Sequence, residues 1–529
     1  MSIKGFVGFW GDKLKNKMSK SLCDKYKIAI YNGVYFFSER YTVVFSDEYL
    51  VNQGDDSLTI RAGQNSLSFN EMMTAEITLD QQSIKLVRDR WGTRTIYYVQ
   101  EAGNIYFASD IRFLLELPIE NIKDYDTNSL LESATLGYIY KESSTLFRNV
   151  KQLSRNCVLT FEDNDFHVQR RMVSANKQRF DTFEEAYLCF ENSFEKCVNM
   201  AGQIVGKKAY MLSGGMDSSA IAIASSKKNK IDTITFTSGN NTEDVYYSGE
   251  LAKYLDSKHI VLSFDNYKAL AEFPAFLNSI ENVEMDGIFS PLGGYAYYLL
   301  CREIETLGYD VVFPGEGADE ILGGYYWQLT HSFGFVDRLK EKTCGTEVYD
   351  RVVGLFPEVE EKELYREIVY YLLQGSALTN YHLSCVEHIA KACNLYNYPI
   401  YLMDGIYDVV KDIPMKWLCD GQKTKLILRK YLSNYLDEVG LSGLITRKKL
   451  AMPSVVPDEF YKKLLSIAAK EANISNNPFK EIIGRSPLNV FMMDVFHKYY
   501  TLHPLKKVDI ETWLEELVMI DNGESIIHW

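Results

Sequence analysis

The stretch Tyr210-Met-Leu-Ser-Gly-Gly-Met-Asp-Ser-Ser219 constrains this chain more than any other part of it. An apolar run stops at a Ser-Gly-Gly turn, and an Asp and two hydroxyls then open an apolar helical segment. Without a Cβ, Gly214 and Gly215 allow a tight turn and a close approach of backbone to ligand. The N–H groups of such a turn and of the first helical turn converge on one spot, which favours an anion. Ser213, Ser218 and Ser219 add hydroxyl donors, and Asp217 offers a hard oxygen to Mg²⁺. The set suits the pyrophosphate of a nucleotide. It is not a Walker A loop, because no Gly-Lys-Ser/Thr follows. A capped strand–turn–helix junction without a ligand uses the same residue types, so one loop alone leaves both readings open.

A chain of 529 residues has room for two or more domains. Its hydrophobic content of 46% and charged content of 24% are those of an ordinary globular protein. No window approaches the roughly 18 uninterrupted apolar residues of a membrane span. The N-terminus lacks the apolar length and cleavage site of a signal peptide, so a cytoplasmic location is expected. Nine cysteines without CxxC pairs predict reduced thiols, and eight scattered histidines predict no zinc site. A formal charge of −14 argues against a nucleic-acid surface while leaving room for one nucleotide held locally with Mg²⁺.

The first ~175 residues alternate short β-branched and aromatic runs (5–10, 29–37, 41–45, 57–61, 84–87, 95–99 and 104–107) with turn residues. They predict a layered, β-rich domain. A polar stretch at 173–179 leads into a capping-box helix, Thr182 with Glu185, whose apolar residues recur at helical spacing to residue 200. The boundary is placed there, giving domains 1–178 and 179–529. From Lys207 onward short apolar strands (209–212, 233–237, 259–262 and 310–313) alternate with helices (219–226 and 244–255), the pattern of a doubly wound parallel sheet. Ligands of such sheets bind beyond the carboxyl ends of the strands, where the Ser213 loop falls. Beyond about residue 325 the pattern is mainly helical.

A second constellation, Pro314-Gly-Glu-Gly-Ala-Asp-Glu-Ile-Leu-Gly-Gly-Tyr325, follows the last of those strands. Two glycine-rich loops after two strands of one sheet put Asp217 and Asp319 in reach of a shared Mg²⁺–phosphate site. At this point the residues carry a family resemblance. Ser213–Ser219 resembles the SGGxDS loop of the N-type ATP pyrophosphatases, and Gly315–Tyr325 is similar to the second signature of asparagine synthetases. The resemblance continues through Thr235-Phe-Thr-Ser, through Gly421–Arg429, which looks like the family's helix with a phosphate-side lysine, and through Thr446-Arg-Lys-Lys-Leu, which looks like its catalytic-lysine loop. Upstream, Arg88-Asp-Arg-Trp-Gly-Thr-Arg and Phe107-Ala-Ser-Asp110 look like the family's Ntn-hydrolase domain. The fold implied is an Ntn-hydrolase-like layered domain followed by an adenine-nucleotide α-hydrolase-like doubly wound sheet with a helical extension.

The departures narrow the function. Glutamine-using members begin Met-Cys-Gly, with the processed Cys as nucleophile; here Lys4 precedes Gly5, residue 2 is Ser, and the first cysteine is Cys23. Tyr31-Asn-Gly-Val is the nearest remnant of the Asn-Gly-Glu glutamine-binding pattern. Members without that cysteine include β-lactam synthetases, carbapenam synthetases and lasso peptide cyclases, which deliver a substrate amine. Glu316 stands where β-lactam synthetases carry tyrosine, so the lasso peptide cyclases are the nearer type. The resemblance therefore implies an AMP- and pyrophosphate-forming amide synthetase using ATP and Mg²⁺. Its substrate would be a peptide or small molecule bearing carboxylate and amine, with a precursor peptide and a leader-processing protease as expected partners. The alternatives are an ammonia-dependent or β-lactam-synthetase-like small-molecule enzyme, and a catalytically silent binding homologue.

Under that resemblance Ser213, Gly214, Gly215, Asp217, Ser218, Ser219 and Gly315 would hold ATP and pyrophosphate, with Lys425 and Arg429 on phosphates. Asp217 and Asp319 would take the metal. Glu316, with Glu387 as the second candidate, would receive the amine's proton. Lys449, or its neighbour Lys448, would stabilise the developing oxyanion. Arg90 and Arg94 are expected to serve the fold of their own domain.

Overall fold

The computed structural model describes residues 6–11, 18–30, 33–38, 40–46, 50–54, 57–62, 75–139, 141–162, 165–171, 180–237, 242–263, 266–279, 291–325, 378–379, 382–447, 458–484 and 486–528. The alternating runs of the N-terminal part pair into two six-stranded sheets. The first runs Lys151–Gln152, Tyr97–Glu101, Asn104–Ala108, Phe6–Trp10, Tyr41–Ser46 and Gly33–Phe37, all antiparallel. The second runs Asp165–Arg170, Cys157–Glu162, Ser83–Arg88, Ala75–Asp80, Ser57–Ala62 and Leu50–Gln53, again antiparallel. Period-two alternation sends Phe6, Trp10, Val43 and Phe45 of the first sheet into one core with Ile60, Ile77, Leu86 and Phe161 of the second. The opposite face of the first sheet, with Val7, Phe9 and Tyr106, packs on helical residues Tyr26, Phe113 and Leu114. The layered domain is therefore present.

Its details correct the sequence reading in one place. Residues 29–37 were expected to be one strand, but Ala29 ends the helix Lys20–Ala29 and the strand is Gly33–Phe37. Ser19 caps that helix by accepting from the Leu22 amide, a local signal that outweighs the β-branched run behind it. The polar boundary segment 173–179 lies outside the described residues.

The C-terminal part is built on a five-stranded parallel sheet in the order Lys258–Ser263, Asp232–Thr237, Lys208–Met211, Val311–Phe313 and Tyr396–Asn397. Ala209, Met211 and Val312 face the helices Asn266–Ser279, Pro291–Thr306 and Ser384–Ala392. Tyr210, Val311 and Phe313 face Phe183–Ala201, Met216–Ser226 and Leu426–Leu436 on the other side. Both faces are covered, as strands apolar on both sides require. The chain leaves Lys208–Met211 toward one edge and later returns to its other side at Val311–Phe313. The order reverses between these two neighbours, and the loops leaving them flank the crevice. No helix among the described residues is long and apolar enough to cross a membrane.

The segment Arg88–Arg94 joins the two parts. The buried Asp89 carboxylate accepts from the amides of Trp91 at 3.0 Å, Thr93 at 3.2 Å and Arg94 at 3.1 Å, which folds the segment into a fixed turn. Trp91 then donates its indole N–H to the Leu402 carbonyl at 2.8 Å, and its own carbonyl accepts from Thr379 Oγ1 at 2.8 Å. Gly92, at φ +69°, lies so close to the Thr379 methyl that any Cβ would collide with it. Arg90 and Arg94 were expected to serve their own domain. Instead Arg90 pairs with Asp404 at 2.6 Å and Arg94 with Glu387 at 2.5 Å, both in the C-terminal part. The Asp89 turn aims both side chains outward from their own domain, a direction that residue type alone does not encode.

Candidate active site

The Ser213 loop starts where the strand Lys208–Met211 ends. Leu212 still bonds to its neighbour strand through the Ile234 carbonyl at 2.8 Å, and its own carbonyl accepts from Thr235 Oγ1 at 2.6 Å. The turn is then closed by hydroxyls: Ser218 Oγ accepts from the Ser213 amide at 3.1 Å and lies 3.1 Å from Ser213 Oγ. Gly214 takes φ +65°, which glycine adopts without strain. Gly215 is the N-cap of the helix Met216–Ser226 and no side chain caps it, so the first amides of the helix are left to a ligand or to water. Ser213 is exposed on this loop, whereas Ser219 is fully buried and its hydroxyl has no partner among the described residues. Gly315 packs its Cα directly on Asp217, bringing the second loop against the first.

Lys425 joins them. Its ammonium lies 2.6 Å from Asp217 Oδ1 and 2.7 Å from Asp319 Oδ1, with the lysine and Asp217 side chains both about 95% buried. Lys425 sits in left-handed backbone, φ +52° and ψ 44°, at the N-terminal end of the helix Leu426–Leu436. A long side chain held there records a constraint imposed by its surroundings. Asp420 supplies part of it by accepting from the amides of Gln422 at 2.8 Å and Lys423 at 2.7 Å. Gly324 supplies another part: a Cβ there would overlap both Asp319 Oδ1 and Lys425 Cε.

Two carboxylates converging on one cation are a fitting donor set for a hard divalent ion. Mg²⁺ can be held by one or two carboxylates, with water and substrate phosphates completing its shell.

Arg429, expected on phosphates, donates to backbone through Nε to the Thr424 carbonyl at 2.7 Å and through Nη1 to the Ile445 carbonyl at 2.6 Å. It ties the Lys425 turn to the turn Gly443–Thr446. Arg447, at the end of that turn, reaches the Gly214 carbonyl. Lys448 and Lys449 lie outside the described residues.

Glu316 and Glu387 converge from different elements. Both carboxylates help to raise the phenol of the buried Tyr297, behind the larger effects of its burial and of Cys301. Tyr297 donates to Asn397 Oδ1 at 2.9 Å. Glu387 is itself buried, on the helix Ser384–Ala392. The sequence reading quoted Glu320 in its motif but gave it no role. Glu320, beside Asp319, accepts from the Tyr325 hydroxyl, and burial and then the Asp319 charge push its carboxyl up to about 7. His382 Nε2 stands 3.3 Å from the same hydroxyl. Asp244 and Arg447 were likewise given no role. Arg447 adjoins the lysine motif and was within reach, but nothing local marks Asp244.

The two described cysteines of the N-terminal domain, Cys23 and Cys157, are both buried, and burial raises both thiols. Neither has the accessible setting of a nucleophile, and at Cys157 burial outweighs the pull of Arg170, Arg88 and Arg155.

Comparison with known proteins agrees with this arrangement. The Asparagine synthase family profile matches residues 190–515, and the Glutamine amidotransferase domain profile matches residues 58–172. Asparagine synthetase [glutamine-hydrolyzing] 3 of Bacillus subtilis is 25% identical over 411 residues, covering 71% of this chain and 66% of that protein. Asparagine synthetase [glutamine-hydrolyzing] 1 of the same organism is 24% identical over 478 residues, covering 79% and 71%. Asparagine synthetase [glutamine-hydrolyzing] 3 of Arabidopsis thaliana is 31% identical over 170 residues, covering 30% and 28%. The first of these matches thus spans just under two thirds of the relative's length. With an amidotransferase-type layered domain ahead of a parallel-sheet domain whose profile match alone exceeds half its length, the chain belongs to the asparagine synthase family.

Proposed function

We propose that this chain is an ATP-dependent, AMP-forming amide synthetase that activates a substrate carboxylate and joins it to a substrate amine without glutamine. The observation that carries the reading is Lys425 lodged between Asp217 and Asp319, because it makes one phosphate-handling site of the Ser213 and Gly315 loops. In the first step a carboxylate oxygen attacks the α-phosphorus of ATP, and the bond to pyrophosphate breaks. Ser213, Gly214, Gly215 and Ser218 present amides and hydroxyls to the leaving pyrophosphate, and Lys425 supplies a positive charge. Mg²⁺ on Asp217 and Asp319 would neutralise phosphate charge. In the second step an amine attacks the acyl-adenylate carbonyl, AMP departs, and the amine's surplus proton passes to Glu316 or Glu387. Lys449 is the proposed partner of the developing oxyanion, with Lys448 its alternate.

The amine is assigned to the substrate because Cys23 and Cys157 are buried with raised thiols, and a glutaminase needs an accessible thiolate or equivalent. Among amine-delivering activities we favour a lasso-peptide-type macrocyclase that closes an isopeptide bond, acting with a precursor peptide and a leader-processing protease. The likeness to asparagine synthetases favours a second reading, an asparagine synthetase here supplied with free ammonia.

Pyrophosphate release from ATP should appear only when the correct carboxylate is present, and Asp217→Ala should abolish it. Turnover that survives this substitution would remove the metal assignment, and glutamate released from glutamine would overturn the amine assignment.

A further inference from the structure

We propose that Arg447 is a positioning residue for the nucleotide loop: it latches the Gly214 carbonyl to Asp244 and so fixes the loop shape on which ATP binding depends. The inference rests on the adenylation reading above. Arg447 donates to the Gly214 carbonyl through Nε at 3.2 Å and Nη2 at 2.7 Å, and Nη2 also lies 2.5 Å from Asp244 Oδ1. The two side chains are only 8% and 9% exposed, and the guanidinium stacks 5.3 Å from the Tyr247 ring centroid.

The geometry explains why a loop built for an anion needs this cation. In a trans peptide the C=O of Gly214 and the N–H of Gly215 point opposite ways. A carbonyl turned toward the crevice would repel phosphate, and it would turn the Gly215 N–H away from the Ser213 side of the loop. Arg447 draws the carbonyl to itself and leaves the Gly215 amide 3.4 Å from Ser213 Oγ, on the side of the loop where the hydroxyls gather. Gly214 is the residue that permits this, since a Cβ there would come within 2.7 Å of the Asp244 carbonyl and 3.2 Å of Arg447 Nη2. A second, independent observation places the guanidinium at a ligand site and not in a closed structural pair. Its Nη1 is buried and has no hydrogen-bond partner among the described residues, an unmade bond of the kind that a bound anion satisfies.

The test compares Arg447→Gln, Arg447→Lys and Asp244→Asn with the unsubstituted protein. ATP–Mg²⁺ affinity is measured by equilibrium binding, KM and kcat by substrate-dependent ATP–pyrophosphate exchange, and each melting temperature alongside. Arg447→Gln should weaken ATP about tenfold and raise KM for ATP, with a smaller change in kcat. Arg447→Lys should recover part of the loss, because an ammonium replaces one of the fork's bonds. Asp244→Asn should weaken ATP too, and the double variant should be no worse than Arg447→Gln, since both remove one latch. Unchanged ATP affinity in Arg447→Gln, or a loss accounted for by its unfolded fraction, overturns the latch and leaves adenylation standing. If Arg447→Gln does not fold, unchanged affinity in both Arg447→Lys and Asp244→Asn overturns it equally. An unsubstituted protein that binds no ATP overturns both inferences.

Discussion

The ammonium of Lys425 lies 2.6 Å from the carboxylate of Asp217, in the middle of the crevice and out of water. Asp319 lies on its other side at 2.7 Å, so one positive charge is held between two carboxylates. A buried pair of this kind costs desolvation on both partners, and removing one partner leaves the other uncompensated.

Lys425→Met should therefore lower stability in the absence of divalent ions by about 3 kcal/mol, the low end for a broken buried pair, because Asp319 keeps 34% of its side chain exposed. Mg²⁺ should then raise the melting temperature of the variant more than that of the unsubstituted protein, since both carboxylates become available to it. Thermal unfolding with and without Mg²⁺ decides this, and equal metal responses would refute it.

Gly324→Ala should abolish ATP binding and lower stability as well, since the new methyl would also meet the backbone Cα of Asp319 at 2.7 Å. The new methyl would occupy the space of Asp319 Oδ1 and Lys425 Cε, so the two must separate. Isothermal titration with ATP–Mg²⁺ tests this, and affinity within a factor of about three of the original would show that the pair tolerates separation.

Arg94→Gln should slow amide formation more than adenylation. It removes the cation 2.5 Å from the buried Glu387 while leaving Asp217, Asp319 and Lys425 in place. Leaving that carboxylate without its arginine should also cost about 3 kcal/mol of stability. Separate assays of pyrophosphate exchange and of product formation report the split; equal losses in both would place Arg94 outside the second step.

Acid should loosen the contact between the two domains at His497. Its Nδ1 lies 2.8 Å from the Tyr125 hydroxyl of the N-terminal domain, and burial, then Lys123, hold the imidazole down to about 4. The folded state thus binds this proton less readily than the unfolded chain, whose histidine titrates near ~6.5. The resulting stability is fully present above that value and is lost as pH falls toward 4, amounting to about 1–3 kcal/mol. His497→Gln should remove this part of the pH dependence. Denaturant unfolding at pH 7 and pH 5 measures it, and parallel curves for both proteins would rule it out.

What the sequence made legible follows the reach of each signal. Ser213, Gly214, Gly215 and Asp217 are read correctly as one turn because their geometry is local, set by residue type within a few positions. The alternation of strand and helix likewise exposes the parallel sheet. Asp319 is placed beside Asp217 by the logic of neighbouring strands, and Lys425 is named for the phosphates by resemblance alone; its seat between the two carboxylates is not foreseen, because it arrives from more than 200 positions away through a left-handed residue. Asp244 stays hidden for the same reason, and for Glu387, named only as the second proton acceptor, the pairing with Arg94 stays hidden: no spacing announces either arginine as a partner. The helix Lys20–Ala29 was missed where a polar cap at Ser19 competes with a β-branched sequence downstream.

The Trp91 turn has a consequence for how such a chain can change over generations. Its indole and carbonyl bonds, with the Arg90 and Arg94 ion pairs, end on Leu402, Thr379, Asp404 and Glu387. Deleting the N-terminal domain would strand a buried acid and bare an apolar seam, whatever glutamine chemistry that domain retains. The domain is thus held in the gene by the needs of its neighbour, and inheritance can erode its own reaction without a route to discarding it.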